Sequence, residues 1–144
     1  MEKFILSMSL ILFTACQSQV VEKNFFSGNI SSRIERLEKY PLDKQWIIFK
    51  YGNQIIHPPA TDLALPIARR GKPAMNYIIS QLSESDNDLD FRDSLVVFRV
   101  MRAGGYYDIC NNDAAMKSIR ENQWKIVNDD WQSVYAEMLI RLCH

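Results

Sequence analysis

Apolar side chains recur at intervals of three and four residues along most of the chain, which is the spacing of one face of an α-helix. The last segment shows this best, because a helix starting near Asp129 or Asp130 carries a continuous apolar stripe: Trp131, Val134, Tyr135, Met138, Leu139 and Leu142. The segment that ends at Ala103 is apolar on almost every side, with a narrow polar strip of Arg92, Asp93, Ser94, Arg99 and Arg102. A helix of that composition is expected at the centre of a fold.

Residues that start and stop helices divide the rest of the chain into further short helices. Ser32 and Glu35 have capping-box spacing, and Pro41 ends the segment that they open. A helix from Asp43 to Tyr51 follows, although the aromatic and branched residues after Trp46 leave a strand as the alternative. The remaining helices are predicted from Thr61 or Asp62 to Gly71, from Pro73 to Leu82, from Asp88 or Asp90 to Ala103, and from Asn112 or Asp113 past Ile119. No segment alternates convincingly between apolar and polar residues, so the sequence predicts an all-α fold, a compact bundle of short helices.

One corner between two predicted helices resembles a known repeat. Its sequence is Ile67-Ala68-Arg69-Arg70-Gly71-Lys72-Pro73-Ala74, followed by Tyr77, Ile78, Ile79 and Leu82. This is similar to the helix-Gly-x-Pro-Ala-helix corner of HEAT-type repeats, and the resemblance, over residues 62–82, implies HEAT-like helix pairs. No second copy follows at a fixed period, and three or more repeats are normally needed for a stable solenoid. A compact bundle is therefore favoured over a repeat array.

The N-terminus has the organisation of an export signal. The apolar run from Phe4 to Ala15 follows Lys3 and covers 12 residues, whereas a membrane-spanning helix needs roughly 20. The run ends in Phe13-Thr14-Ala15-Cys16, which resembles the lipobox of bacterial lipoproteins. The resemblance implies that the Cys16 thiol is alkylated with diacylglycerol, that the signal is cut just before it, and that the freed amine is acylated, for example with palmitate.

These features predict three parts of the chain. Residues 1–15 are the signal peptide, residues 16–29 are the lipidated N-terminus and a tether, and residues 30–144 form a single α-helical domain. Phe25 and Phe26, near the end of the tether, are expected to dock on the domain or at the membrane interface. By the same resemblance, Gln17 rather than Asp after the lipidated cysteine implies sorting to the outer membrane, with the domain facing the periplasm.

With Cys16 lipidated, Cys110 and Cys143 are the remaining cysteines, so an oxidising compartment allows a single intramolecular disulfide. Two separately buried thiols are one alternative. The other is a metal site that uses His144, but the chain holds only two histidines, His57 and His144, and zinc prefers four ligands at regular spacing. No metal or cofactor is therefore expected.

The charges restrict the class of partner. The chain has 17 Lys plus Arg and 17 Asp plus Glu, and this net charge of zero gives no diffuse positive field, so nucleic-acid binding is not expected. Five residues are nevertheless candidates for binding a protein partner through clustered cations and aromatic rings: Arg69, Arg70, Lys72, Tyr106 and Tyr107. The alternative is that the cations complement a helix dipole and the rings lie in the core.

Recognised catalytic motifs are missing from the sequence. Asp86-x-Asp88-x-Asp90 imitates the start of an EF-hand, but Phe91 stands where glycine is required and Val97 where the bidentate glutamate belongs, which favours a solvated turn. Nucleophile elbows, P-loops and dinucleotide loops are also absent. We therefore expect a membrane-anchored envelope lipoprotein that acts as a non-enzymatic protein-interaction module, toxin-neutralising immunity being one such role. The alternatives are a structural or lipid-binding envelope protein, and an envelope enzyme that uses Asp86, Asp88 or Asp108.

Overall fold

The computed structural model describes residues 23–144, and the predicted signal peptide and Cys16 lie outside this range. The described residues form seven α-helices and no strand: α1 Ile30–Glu38, α2 Leu42–Gln54, α3 Ala64–Ala68, α4 Lys72–Ser83, α5 Asp88–Ala103, α6 Asp113–Asn122 and α7 Asp129–Leu142. Short 3-10 turns lie at Lys23–Phe26, Thr61–Leu63, Ile109–Asn111 and Gln123–Lys125. The all-α prediction is confirmed, and the strand considered after Trp46 is wrong.

Between residues 23 and 144, we find no helix with the length and apolar character needed to cross a bilayer.

Helix α5 lies at the centre of the bundle, where it contacts α2, α3, α4 and α7. Five of its apolar side chains are almost completely buried: Phe91, Leu95, Val97, Phe98 and Met101. The predicted central position of this helix is therefore confirmed. Its predicted polar strip is only partly solvated, because Asp93 and Ser94 are fully buried and Ser94 donates a hydrogen bond to the Phe91 carbonyl.

Asparagine side chains cap four of the helices by accepting hydrogen bonds from backbone N–H groups of the first turn. Asn29 caps α1 and accepts from the Ser32 backbone N–H at 2.9 Å. Ser32 is therefore an internal helical residue, and the capping box predicted from it is wrong. Asn87, rather than Asp88 or Asp90, caps α5, whereas the predicted cap of α6 at Asn112 is confirmed.

The segment before α1 packs against the domain. Phe25 is 9% exposed and belongs to the hydrophobic core, and the Phe26 ring stacks on Tyr51 with centroids 5.7 Å apart. Gly52 makes this approach possible, because a Cβ atom there would stand 2.6 Å from the Phe26 ring. The sequence analysis considered two docking sites for these rings, the domain and the membrane interface. The structure shows both rings docked on the domain.

A disulfide bond joins Cys110 to Cys143, whose Cα atoms lie 5.7 Å apart. Cys110 lies in the short turn after α5, and Cys143 directly follows α7. The pairing expected for an oxidising compartment is present, and neither cysteine is a free thiol or a metal ligand. The bond ties the end of α7 to the turn that precedes α6.

Candidate functional site

A glycine brings two separate parts of the chain together at the junction of α3 and α4. Gly71 has φ +60° and ψ −135°, a backbone conformation that is essentially restricted to glycine. A Cβ atom at this position would stand 3.0 Å from the Tyr106 carbonyl oxygen. The turn between α3 and α4 therefore packs directly against the loop that follows α5.

The cations around Gly71 point to the surface. Arg69, Arg70 and Lys72 are all exposed. Arg69 pairs with the carboxylate of Glu38, and Arg70 donates a hydrogen bond to the Tyr40 carbonyl at 3.2 Å. Both contacts join the α3–α4 junction to the end of α1.

Aromatic rings accompany these cations. Tyr106 is 38% exposed, and its hydroxyl lies close enough to Arg69 to raise the pKa of that guanidinium, an effect to which Glu38 adds. Tyr40 is 36% exposed, and the Lys44 ammonium lies 5.8 Å from the centre of its ring. We name the surface formed by five of these residues the basic-aromatic corner: Tyr40, Arg69, Arg70, Lys72 and Tyr106.

Tyr107, also predicted to bind a partner, is less exposed than the other four candidates. Tyr107 is half-buried, and its hydroxyl accepts a hydrogen bond from the Asn112 side chain at 3.0 Å. Tyr107 therefore links the loop after α5 to the start of α6. Conversely, the sequence analysis missed Tyr40 and Glu38, which lie about 30 residues before the arginines they contact and carry no local motif.

The carboxylates considered for catalysis or calcium lie in turns and helix caps. Asp88 accepts hydrogen bonds from the backbone N–H groups of Val127 and Asn128 at 3.0 and 2.8 Å. Asp108 caps the turn that contains Cys110, and Asp86 is exposed. Within residues 23–144, no group of three or more His, Cys, Asp or Glu side chains is arranged to hold a metal ion. These positions favour structural roles for Asp88 and Asp108 and a solvated one for Asp86.

The most deeply buried charges form a polar network between α2 and α5. Asp93 is fully buried and accepts hydrogen bonds from Asn53 at 2.6 Å, Gln54 at 2.8 Å and Arg92 at 2.6 Å. Burial raises the pKa of Asp93 even though these donors and the charge of Arg92 oppose the effect. The neighbouring Asp90 accepts from Lys50 at 2.7 Å. The network therefore connects α2 to α5. Because hydrogen-bond donors already occupy the carboxylates of Asp90 and Asp93, neither is open to a substrate.

Trp124 is an aromatic residue that lies outside the core. It lies in the turn after α6 and is 78% exposed. Trp131, in contrast, is half-buried beneath the guanidinium of Arg92, whose carbon lies 5.2 Å from the ring centroid. Exposed Trp124 lies outside the basic-aromatic corner and offers a control position for it.

Comparison with known proteins finds no matching family model, no similar curated protein and no similar solved structure.

Proposed function

We propose that this protein is a bacterial envelope lipoprotein, anchored through Cys16, whose helical domain binds another envelope protein at the basic-aromatic corner. The observation that carries the proposal is the meeting of three chain segments at one exposed surface. Tyr40 comes from the loop after α1, the three cations from the junction of α3 and α4, and Tyr106 from the loop after α5. These residues come together only when the domain is folded.

The composition of the corner favours a protein partner with an acidic surface. Arg and Tyr are enriched at the centres of protein interfaces, because each offers a large contact area together with hydrogen-bond donors. Among residues 23–144, the three cations of the corner form one ion pair, between Arg69 and Glu38, so this surface keeps a net positive charge. Carboxylates of a partner would form bidentate pairs with the guanidinium groups.

The fixed geometry of the corner also favours binding. Arg69 and Arg70 are already held by contacts to α1, and Gly71 locks the α3–α4 junction against the Tyr106 backbone. Side chains that are ordered before association lose less conformational entropy on binding. We also interpret this junction as the HEAT-like helix pair that its sequence resembles.

The proposed anchor places the domain close to the membrane. Six residues, 17–22, lie between Cys16 and the first described residue, Lys23, which makes seven residue-to-residue steps. Seven steps span at most about 25 Å when the chain is fully extended. With two or more acyl chains holding Cys16 in a bilayer, the partner is expected to be a membrane protein or a protein that works near the membrane surface.

The test is photo-crosslinking in intact cells of the native bacterium. A photoreactive amino acid replaces Tyr106 in one strain and Trp124 in a control strain, since both are exposed aromatic residues and only Tyr106 lies in the corner. We expect one protein to crosslink at position 106 and not at position 124. Capture of a toxin would identify the protein as an immunity protein.

Charge reversal adds a second control. The R69E/R70E variant should lose the crosslink at position 106, whereas R120E, which changes an exposed arginine on α6, should keep it. Equal crosslinking at positions 106 and 124, or a crosslink that survives R69E/R70E, would overturn the proposed interface. The anchor is tested separately with Cys16→Ser, which should release the protein from membranes and abolish labelling by fatty acid.

A further inference from the structure

A cleft opens between α5 and α7 near their C-terminal ends, and it shares no residue with the basic-aromatic corner. Its volume is about 290 Å³. A second hollow of about 100 Å³ extends it along the two helices. The larger part is lined by Arg99, Arg102, Ala103, Arg141 and Leu142.

Three guanidinium groups line this cleft because of how the two helices are paired. Arg99 and Arg102 are three residues apart on α5, so they share one face of that helix. Arg141 lies in the last turn of α7. Arg102 is held against the end of α7 by a hydrogen bond of 2.8 Å to the Leu142 carbonyl, which brings the α5 arginines beside Arg141.

The acidic groups near the cleft do not balance these charges. Asp108 lies 3.7 Å from Arg102, and Glu137 pairs with Arg141 along α7. Arg99 is exposed and belongs to none of the ion pairs among residues 23–144. Each guanidinium carries five N–H donors, so most of the donors in the cleft are unused and the site keeps an excess of positive charge.

We propose that this cleft binds a phosphate group. Three guanidinium groups can each donate to a different oxygen of a tetrahedral anion, whereas a carboxylate offers only two oxygens. The volume is ample for a phosphate and lies near the lower end of the range of ligand pockets, about 300 Å³, so the three guanidinium groups rather than the size favour this anion. Inorganic phosphate and the phosphodiester of a phospholipid headgroup present the same chemistry, and the experiment distinguishes them.

The test follows the side-chain Nε–H NMR signals of the arginines in the full chain held in micelles of a non-ionic detergent, which contain no phosphate. Inorganic phosphate is titrated at constant ionic strength, with chloride as the reference anion. We expect a saturable shift of the Arg99 signal with phosphate and a much smaller one with chloride. In a second sample, phosphatidylglycerol nanodiscs replace the micelles and supply the phosphodiester of an anionic headgroup without inorganic phosphate.

Arg99 and Arg141 are suitable for substitution because both are exposed, whereas Arg102 also holds the end of α7. In R99Q/R141Q, the affinity measured by calorimetry should fall about tenfold or more, because two charged hydrogen-bond donors are lost. The matched control R120Q removes an exposed arginine from α6 and should bind like the wild type.

The outcomes separate the two sources of phosphate. A shift of Arg99 with inorganic phosphate assigns the site to the free anion, and a shift only with phosphatidylglycerol assigns it to the headgroup. The proposal is overturned if neither probe shifts Arg99, or if R99Q/R141Q and R120Q lose affinity equally. Identical titration curves for phosphate and chloride at equal ionic strength would also overturn the proposal, since that result indicates general charge screening.

Discussion

Gly71 lies so close to the backbone of Tyr106 that a single added carbon would stand 3.0 Å from the Tyr106 carbonyl oxygen. This contact joins the turn between α3 and α4 to the loop after α5, and the basic-aromatic corner depends on it. Gly71 also has positive φ, so both its backbone conformation and its surroundings disfavour any side chain. The glycine therefore contributes to the stability of the domain and to the position of Tyr106.

We expect Gly71→Ala to lower the free energy of unfolding by about 1 to 3 kcal/mol, because the backbone is strained and the Tyr106 loop must move. Gly105→Ala is the control, since Gly105 also has positive φ but a Cβ there would meet nothing within 4 Å. Denaturant unfolding should show the larger loss for Gly71→Ala. Equal losses would mean that the contact with Tyr106 adds nothing to the backbone strain.

The helices were predictable because their signals are local. Apolar spacing marks α7, and the glycine and proline around residues 71–73 separate α3 from α4. The errors at helix starts have a local cause as well. Asparagine, serine and aspartate all cap helices well, so a window such as Asn29 to Ser32 contains more than one acceptable start.

The site was only partly predictable because its residues are distant in sequence. Arg69, Arg70 and Lys72 form a visible cluster, but no pattern indicates that Tyr40 would lie beside them. The burial of Asp93 was hidden for the same reason. Its polarity suggested a solvated strip, whereas Asn53 and Gln54, 40 and 39 residues away in sequence, supply the hydrogen bonds that allow it to be buried.

Phe25 is predicted to hold the N-terminal segment on the domain. Its ring is 9% exposed, and Arg36 lies over it while donating to the Phe25 carbonyl at 2.7 Å. Phe25→Ala should cost roughly 3 kcal/mol of stability and make residues 23–29 more sensitive to protease. Ile30→Ala is the control, because Ile30 is 55% exposed and should change stability by only about 0.5 kcal/mol or less. Unchanged protease sensitivity in Phe25→Ala would contradict this role.

The disulfide between Cys110 and Cys143 is predicted to contribute substantially to stability. Closing a loop of this length, with a sequence separation of 33, contributes roughly 3.5 to 4 kcal/mol by the chain-entropy model. Reductant should therefore lower the denaturant midpoint of the wild type by the corresponding amount. The C110S/C143S variant should already unfold at the lower midpoint and should not respond to reductant. A wild-type midpoint that reductant leaves unchanged would contradict the prediction.

Asp93 is predicted to make the domain less stable as pH rises. Burial raises the pKa of Asp93 in the folded protein, so the folded state binds its proton more tightly than the unfolded state does. The stabilisation that the domain gains from this more tightly bound proton is fully present below the ordinary carboxyl pKa of about 3.9. It declines as pH rises through the raised pKa, because the unfolded state then holds fewer protons than the folded state.

Two variants test this dependence by urea unfolding at a series of pH values from about 4 upward, where the unfolded carboxyl begins to ionise. D93N should lack the part of the decline that Asp93 causes. The unfolding free energy of the wild type should therefore fall relative to that of D93N as pH rises. In R92Q the decline should extend to higher pH, because the charge and hydrogen bonds of Arg92 oppose the effect of burial. Parallel curves for wild type and D93N, or a wild type that gains stability relative to D93N with rising pH, would show that the network's donors outweigh the cost of burying the charge.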